Sequence, residues 1–375
     1  MAKSRTVKEE NRLGSKLIKN QIARTVSDIA NWQKALKKAE DPTAYNKKDL
    51  YAIYKNVELD GLLKSQINNR IERTVGTDFV LQDQSGSANE EGTLAFKNSG
   101  IVEPLIREVI NAKFWGHSLV QVLPDLQEGR FVLDLIPREH VLAEFGQLLI
   151  KPDDKEGIPY RELPEFNQTV FEFSSVDLGL LNNAVPHVLM KRFAQTSWST
   201  FAEMFGTPTR VVKTNTSDTQ MLNRAEQMLK DAGGSAYLVI DSNEAFEFAE
   251  AVVSNGDVYN NLIKLCNNEL SLLVSGAVIG QDTVNGNYSK ETASIEVLER
   301  LTQSDKRFVE ESINKMLVGL SAIGLVPANV FFKFKEAENL TELFDRTVKM
   351  ADYFDIDPDF VLNKFGIPVS PKANF

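Results

Sequence analysis

The stretch DVYNNLIKLCNNELSLLVSGAVI (257–279) decides the plan of this chain, because its apolar residues recur at helical intervals. They are Val258, Leu262, Ile263, Leu265, Leu270, Leu272 and Leu273. The polar segment GQDTVNGNYSK (280–290) follows, and its Asn285-Gly286 pair is a turn signal. A further helical pattern runs over 291–319. The sequence therefore predicts two long helices joined by a polar loop.

Another long helix is predicted upstream, over AVPHVLMKRFAQTSWSTFAEM (184–204). It opens after a proline and ends at Phe205-Gly206, with Pro208 behind it. Large apolar residues lie on more than one face, which is typical of a helix that is buried or wedged between subunits. A small α/β unit is predicted between this helix and 257–279. Its elements are a strand at 209–214, a helix at 218–233, and strands at 235–240 and 245–252.

The flanking sequence predicts a compact α+β domain before these helices and a short mixed segment after them. The elements of the first domain are a helix at 47–76, a strand at 78–82, a polar loop at 83–92, a helix at 101–114, strands at 117–125 and 130–137, and short strands with turns over 146–183. A strand at 329–334 and a helix at 339–354 close the chain. This plan suits an extended subunit of a ring better than an enzyme.

Composition excludes several classes of protein. The 375 residues are 42% hydrophobic and 25% charged, which suits two or three domains with a substantial core. One cysteine, Cys266, rules out an internal disulfide framework and a multi-cysteine metal site. No two of the three histidines share a metal-ligand spacing, no run of about 18 apolar residues could span a membrane, and the charged start is no signal peptide. We expect a soluble, intracellular chain without a metal or cofactor.

Charge is unevenly distributed along the chain. Residues 1–40 carry ten Lys and Arg against four acidic side chains, a net +6, so the overall −10 leaves −16 for residues 41–375. The basic arm is either a solvated segment or a contact for an acidic neighbouring subunit or a phosphate backbone, and both interpretations stay open. The acidic remainder argues against a protein that grips nucleic acid over its whole surface.

No catalytic set emerges from the sequence. GAVIGQD (276–282) has the glycine spacing of a phosphate loop but lacks the Lys-Ser/Thr pair that would follow. Asp355, Asp357 and Asp359 begin like a calcium loop but lack its glycine and its final Glu, so we interpret them as a turn with a helix cap. His117 beside Ser118 predicts a structural histidine, because a nucleophile and its base must meet in space with a third orienting group.

Four stretches carry a family resemblance. KRFAQTSWSTFAEMFGTPTRVVK (191–213) contains a W-x-x-F-x-E-x-F-G-x-P block, and 259–298 contains a helix–loop–helix with Leu270-Ser271 near its middle. ADYFDIDPDFVLNKFGIPVSP (351–371) closes on a G-I-P turn, and NAKFWGHSLVQVL (111–123) leads from an aromatic–Gly–x–Ser turn into a strand. Taken in their order along the chain, the four blocks resemble the portal proteins of tailed phages, particularly the Mu-like portal family.

The resemblance implies an α+β fold of the portal type. Such a subunit has an α/β wing, long stem helices, a small α/β clip inserted between them, and a helix–loop–helix that faces a channel. The implied segments are a basic arm (1–46), the wing (47–183), the first stem helix (184–204), the clip (205–252), the second stem helix (253–279), the channel loop (280–290), a long helix behind that loop (291–328), and a C-terminal wing or crown segment (329–375).

The resemblance also implies roles for individual residues. The loop facing DNA would present Gln281, Asp282, Asn285, Asn287 and Lys290. The subunit interface would use Trp198, Phe201, Phe205 and Pro208. The clip would dock its partner through Arg224, Glu226, Lys230 and Asp231. No catalytic or metal-binding residue is implied, and no cofactor.

The implied function is a homo-oligomeric, dodecameric ring at one capsid vertex, through which DNA is packaged and ejected. Its partners would be the large terminase subunit, a head–tail connector or adaptor, a capsid or scaffold protein, and double-stranded DNA that passes without sequence-specific binding, with no membrane contact. It would assemble in the host cytoplasm and end in the virion. The alternatives are another ring-forming phage or tailocin adaptor or baseplate component without DNA passage, and a hydrolase that uses His117 or His140.

Overall fold

The structure, a computed structural model, describes residues 29–42, 45–125, 130–174, 178–206, 210–231, 237–243, 257–278, 288–335, 340–351 and 353–368. Helices and short strands are mixed, as the predicted α+β class requires. The helices are α1 (Ile29–Glu40), α2 (Lys48–Val57), α3 (Gly61–Val75), α4 (Glu90–Asn98), α5 (Val102–Trp115), α6 (Leu180–Gly206), α7 (Thr219–Asp231), α8 (Asp257–Ser275), α9 (Tyr288–Ala322), α10 (Leu340–Met350) and α11 (Pro358–Phe365).

The strands form four small sheets. They are β1 (Phe79–Gln82), β2 (His117–Asp125), β3 (Arg130–Leu135), β4 (Val141–Leu142), β5 (Gln147–Leu148), β6 (Ile158–Pro159), β7 (Val170–Ser174), β8 (Arg210–Thr214), β9 (Tyr237–Asp241) and β10 (Phe331–Phe334). Strand β2 lies between β3 and β7, β5 lies between β4 and β6, and β1 pairs with β10; all these pairs are antiparallel. Strands β8 and β9 are parallel and are joined through α7.

The pairing of β1 with β10 joins the first half of the chain to its last third. Phe79 lies opposite Phe334, and Leu81 lies opposite Phe332. The ring of Phe79 stacks on Phe332 with centroids 4.7 Å apart, and both side chains are buried. The segment after α9 is therefore built into the same core as the N-terminal helices.

One main core unites the elements that the chain forms early and late. Buried side chains from α2, α3, α5, β1, β2, β7 and β10 meet the inner parts of α6, α8 and α9 there. A smaller cluster around Tyr160 and Leu148 lies beneath β4, β5 and β6. We call the elements that share the main core the central body. It gives α6, α8 and α9 a fixed base from which their remaining turns extend.

The predicted helix over 47–76 is wrong as a single element, because it breaks between Val57 and Gly61. Asp60 takes an extended conformation there, and its Oδ1 accepts hydrogen bonds from the backbone N–H groups of Leu62 and Leu63, each at 3.1 Å. This is an N-cap, which satisfies orphan donors at the start of α3. Helical periodicity alone does not register such a cap inside a longer pattern.

Two further boundaries differ from prediction. The predicted loop at 83–92 ends early, because Asn89 caps α4 by accepting from the N–H of Gly92 at 2.8 Å. Helix α6 does not open after a proline, since it begins at Leu180 and contains Pro186. The missing N–H of Pro186 costs α6 one internal hydrogen bond, and burial of Leu181, Ala184, Val185 and Val188 in the main core offsets it.

Most of the remaining predicted elements are confirmed, with shifts of a few residues at their ends. The helices expected at 257–279 and 291–319 are α8 and α9, and α9 is longer than expected at 35 residues. Part of the predicted basic arm forms α1, which buries Ala35 and Ala39. Residues 1–28, the predicted strand at 245–252 and most of the predicted channel loop lie outside the described residues.

Candidate functional site

The α6–α8 hairpin carries the predicted interface residues Trp198 and Phe201. Its helices run antiparallel, because Phe201 near the end of α6 meets Tyr259 near the start of α8, with ring centroids 5.9 Å apart. At the opposite end, Val185 of α6 and Leu270 and Val274 of α8 belong to the main core. One end of the hairpin is thus anchored and the other projects from the central body.

Ion pairs and hydrogen bonds fix α6 at its base. The Nζ of Lys191 lies 2.9 Å from the carboxylate of Asp60, and both side chains are buried. Arg192 donates from Nη2 to the backbone carbonyl of Asn56 at 2.7 Å and also contacts the side chain of Asn56. Both basic residues of this helix are therefore used internally, against the cap and the end of α2.

Between residues 190 and 202, the exposed side chains of α6 carry no charge and include large apolar ones. Phe193 is 71% exposed, and Met190 and Trp198 are also exposed. The other exposed residues between 190 and 202 are Gln195, Thr196, Ser199, Thr200 and Ala202. The cores of protein interfaces are depleted in charged residues and enriched in Trp, Phe and Met. This face has that composition, on a chain that is 25% charged.

A second apolar stripe lies on α8. Val258, Leu265 and Leu272 are exposed and follow one another at seven-residue spacing, so they share one side of the helix. The side chains that α8 buries, Cys266 and Leu270 among them, lie on another side. The hairpin therefore carries two different exposed apolar surfaces, one on each helix.

The structure describes two of the four predicted interface side chains. Trp198 is exposed on α6, and Phe201 is half-buried against Tyr259 of the same chain. Phe205 lies in the last turn of α6, with its side chain outside the described residues, and Pro208 lies outside them altogether. Sequence reasoning recognised Phe193 and the residues of the stripe on α8 as apolar helix positions but did not assign them to the subunit interface.

The small α/β unit between α6 and α8 presents its predicted docking residues on α7. Arg224 and Lys230 are exposed, and Glu226 is half-buried. The Nζ of Lys230 lies 4.0 Å from the carboxylate of Glu226 one turn earlier, and Asp231 ends the helix. Two exposed methionines, Met221 and Met228, were missed. They flank Arg224 on one side of α7, at seven-residue spacing.

The predicted channel residues lie mostly outside the described part of the chain. Gln281, Asp282, Asn285 and Asn287 are in the segment 279–287, which the structure does not describe. Lys290 lies in the first turn of α9. The described residues place the start of α9 directly after this segment, so the loop opens a 35-residue helix.

Buried charges hold the middle of α9 in the central body. Asp305 of α9 is 0% exposed and accepts from Nε and Nη2 of Arg70 at 2.7 and 2.9 Å and from Nζ of Lys113 at 2.7 Å. Burial by itself raises the pKa of Asp305, but the hydrogen bonds and charges of Arg70 and Lys113 outweigh it and hold that pKa below its usual value. Arg70 also donates to the carbonyl of Val274 in α8 at 2.9 Å. These contacts join α3, α5, α8 and α9.

The two histidines considered for catalysis have structural roles. His117 contacts the hydroxyl of Tyr51 through Nδ1 at 3.0 Å, and burial lowers the pKa of His117 to about 3. Its neighbour Ser118 accepts instead from Arg138 at 2.8 Å. The Nδ1 of His140 lies 2.9 Å from the carbonyl of Leu149. The prediction that His117 is structural fits this packing, and neither ring is paired with a nucleophile among the described residues.

Other sequence predictions about chemistry can be compared with the structure. The predicted cap in the aspartate cluster is confirmed, because the side chain of Asp357 accepts from the N–H of Asp359 at 3.0 Å at the start of α11. Cys266 is buried. Within the described ranges, no three His, Cys, Asp or Glu side chains gather as metal ligands, and none of the helices is long and apolar enough to cross a bilayer.

Comparison with known protein families gives a match over most of the chain. The sequence model of a protein family described as the portal protein of Mu bacteriophage matches residues 51–367. Among solved structures, a chain from the neck of an empty GTA particle is 12% identical, with a TM-score of 0.47 over 83% of this chain and 91% of that one. A portal protein of the HK97 family of phages from Corynebacterium diphtheriae is 11% identical, with a TM-score of 0.43 over 81% of this chain and 98% of that one. No curated protein matches the chain.

Proposed function

Because the chain belongs to the family of Mu bacteriophage portal proteins, we propose that it forms a homo-oligomeric ring through which phage DNA is packaged and later ejected. The family is one of structural virion proteins at the capsid vertex. The match over residues 51–367 carries the proposal, since it spans the central body, the α6–α8 hairpin, α9 and the C-terminal helices. The packing of His117 and His140 in the core gives the hydrolase alternative no support.

The proposed division of the chain follows the elements. The part of the central body between 47 and 183 is the wing, α6 and α8 are the stem, and 205–252 is the clip. Residues 280–290 form the channel loop, α9 stands behind it, and 329–375 complete the wing or crown. The anchored base and projecting end of the α6–α8 hairpin support this division, because a stem must join a wide body to a narrower clip.

DNA passes along the loop 280–290 in this proposal. Gln281, Asn285 and Asn287 offer hydrogen-bonding groups without charge, while Asp282 and Lys290 nearly cancel each other. Such side chains touch phosphates transiently, whereas a row of Lys and Arg would hold the duplex by counterion release. The duplex would therefore slide without sequence-specific contact, as the net charge of −10 also favours.

Neighbouring subunits meet through the stem. Trp198 supplies one contact, and Phe205 and Pro208, which follow it in the sequence, supply others. Phe201 packs against Tyr259 of the same chain and so stabilises the pairing of α6 with α8. The uncharged face around Phe193 supports this role, because a face rich in exposed aromatic residues gains most from burial. Trp198→Ala should weaken ring formation by up to a few kcal/mol per interface and leave the stability of the monomer nearly unchanged. Leu94→Ala, which removes an exposed apolar side chain from α4, is the matched control.

The clip meets the large terminase subunit and, later, a head–tail connector or adaptor. Arg224, Glu226, Lys230 and Asp231 on α7 give that contact a mixed charge pattern, which suits exchange between successive partners. A capsid or scaffold protein contacts the wing during assembly in the host cytoplasm. No cofactor takes part.

Native mass spectrometry with negative-stain imaging of the purified chain tests the proposal. We expect closed rings whose axial hole admits a DNA duplex, roughly 20 Å across. Closed rings with a narrower hole would favour an adaptor or baseplate component instead. A chain that stays monomeric even with its scaffold or terminase present would overturn the proposal. Equal loss of ring formation and monomer stability in Trp198→Ala would remove that residue from the interface.

A further inference from the structure

A groove of about 540 Å³ lies between α1 and α2. Its lining includes the small apolar side chains Ala35, Ala52 and Ile53. Lys34 and Lys37 line it as well and are exposed. The charge of a third lysine of α1 is compensated, since the Nζ of Lys38 lies 2.7 Å from the carboxylate of Asp49. The groove thus combines an apolar surface with a net positive edge.

An exposed surface with aromatic and acidic side chains lies at the turn between α10 and α11. Tyr353 is 82% exposed and Phe354 is 67% exposed. Their backbone N–H groups both donate to the carbonyl of Met350 at 2.9 Å, so the two residues form an ordered extension of α10. Asp355, Asp357 and Asp359 follow and are exposed. We call residues 353–359 the acidic aromatic turn.

The packing of α10 on α11 holds this turn in shape. The ring of Phe365 lies 5.3 Å from that of Phe344 and 6.2 Å from that of Phe360, in both cases edge to face. These contacts use aromatic residues of both helices, yet Tyr353 and Phe354 stay outside the cluster. Two adjacent exposed aromatic residues on an ordered turn resemble the anchors that dominate protein interfaces.

We propose that the acidic aromatic turn of one copy docks into the α1–α2 groove of a neighbouring copy. Tyr353 and Phe354 fill the apolar part of the groove, and Asp355 faces Lys34 and Lys37. Lysines at the edge of the groove also favour the faces of aromatic rings. The proposal rests on the ring of the proposed function and names a second contact between its subunits.

A second copy is the occupant that charge and geometry favour. Among the described residues of one chain, the groove and the turn do not cover each other. Residues 1–28 carry seven Lys and Arg against three acidic side chains, so their charge has the same sign as the groove. A ring is built from heterologous contacts, in which two unlike patches of each subunit meet. This chain carries such a pair, with opposite charges.

Charge-reversal substitutions in this chain test the contact. The ring yield is measured by native mass spectrometry at low salt. We expect Lys34→Glu and Asp355→Lys each to raise the protein concentration needed for half-assembly at least several-fold, and the double variant to recover most of that loss. Removal of the anchors in Tyr353→Ala/Phe354→Ala should have a larger effect. Val318→Ala, at an exposed apolar site on α9, is the matched control.

Crosslinking distinguishes contact between copies from contact within one. A carbodiimide joins a lysine to a carboxylate that touches it, so equal amounts of ¹⁴N- and ¹⁵N-labelled chains are assembled together and treated. Mixed-label peptides that join Lys34 or Lys37 to Asp355 are expected. Only same-label peptides, or no recovery in the charge-exchanged double variant, would overturn the proposal. If the wild-type chain forms no ring, the proposed function fails; if it does and the variants assemble like it, only this docking contact fails.

Discussion

In this chain the charged side chain of Asp305 is buried and the aromatic side chain of Tyr353 is exposed, which is the reverse of the usual distribution. Asp305 is a carboxylate with 0% exposure, satisfied by Arg70 and Lys113 in the central body. Tyr353 is an aromatic residue with 82% exposure on the acidic aromatic turn. A buried charge persists only where partners inside the same chain compensate it. An exposed aromatic pair gains its stabilisation only from another surface.

The difference separates two kinds of region. The central body compensates its buried carboxylate at Asp305 and packs the apolar side chains of its core, so it determines the shape of a single subunit. The α6–α8 hairpin and the C-terminal helices leave apolar side chains open at Phe193, Leu265 and Phe354. Substitutions in the first region should therefore reduce the free energy of unfolding, whereas substitutions in the second should reduce assembly.

The largest effect on unfolding is expected for Asp305→Asn. It leaves the buried charges of Arg70 and Lys113 without their counter-ion, and breaking such a pair costs about 3–5 kcal/mol. Chemical denaturation of the monomer measures the loss. Glu296→Gln is the control on the same helix, because its exposed pair with Arg300 is at 4.0 Å and should contribute less than about 1 kcal/mol. Similar losses in both variants would contradict the expectation that a buried ion pair is costlier to break than an exposed one.

Phe332→Ala tests whether β10 belongs to the central body. Its buried ring packs on Phe79, Phe96 and Phe334, and removal of such a ring costs about 3–5 kcal/mol. The next residue on the strand, Phe331, points to the other face and is half exposed, so Phe331→Ala should cost less than half as much. Equal losses would show that Phe331 and Phe332 do not lie on opposite faces of β10.

A smaller effect is expected where α9 meets the loop before β7. A Cβ on Gly319 would lie within 3.0 Å of the carbonyl oxygens of Asn167 and Gln168, so backbone must move. Gly319→Ala should lower the free energy of unfolding by about 1–3 kcal/mol, as overpacking does. Gly61→Ala is the control, since nothing lies within 4 Å of its Cβ position at the start of α3. A loss in that control as large as in Gly319→Ala would refute the close approach.

The smallest effect is a pH dependence caused by His117. Its pKa falls from 6.5 to about 3 on folding, mainly through burial. Below pH 6.5 the unfolded chain binds a proton at His117 that the folded chain does not bind. The free energy of unfolding therefore decreases as the pH is lowered from 6.5 to about 3, by at most about 1.4 kcal/mol per pH unit. Denaturation of the wild type and His117→Gln at pH 7, 6 and 5 should give a flatter profile for the variant. Parallel profiles would exclude His117 as the cause.

Long periodic segments could be predicted from sequence, and local caps could not. The helices at 257–275 and 291–319 follow from apolar spacing over many turns, which one boundary residue cannot change. The break at Asp60 was missed because a cap acts through two hydrogen bonds and leaves the periodicity on either side intact. The early start of α6 was missed because burial of Val185 and Val188 outweighs the local cost of Pro186.

The candidate surfaces were predictable in part. Trp198 was recognised because a large aromatic residue on a helix with several apolar faces is unusual for a solvated helix. The groove between α1 and α2 was not predictable, because the sequence assigns Lys34 and Lys37 to a basic arm. Only the packing of α1 on α2 shows that they line a groove. Exposure separates the apolar residues of α8 that face the core, such as Leu270 and Val274, from those that face outward, such as Leu265 and Leu272, and the sequence alone does not distinguish them.

The amino-acid sequence by itself determined the presence of the long helices α8 and α9 and the order of blocks that resembles a portal protein, because these depend on spacing along the chain. Only the tertiary structure decided that β1 pairs with β10 and that Asp305 meets Arg70 and Lys113. These partners lie more than 190 residues apart, and no local signal ties one to the other. Burial in a shared core brings them together, and it also decides which apolar residues are left outside.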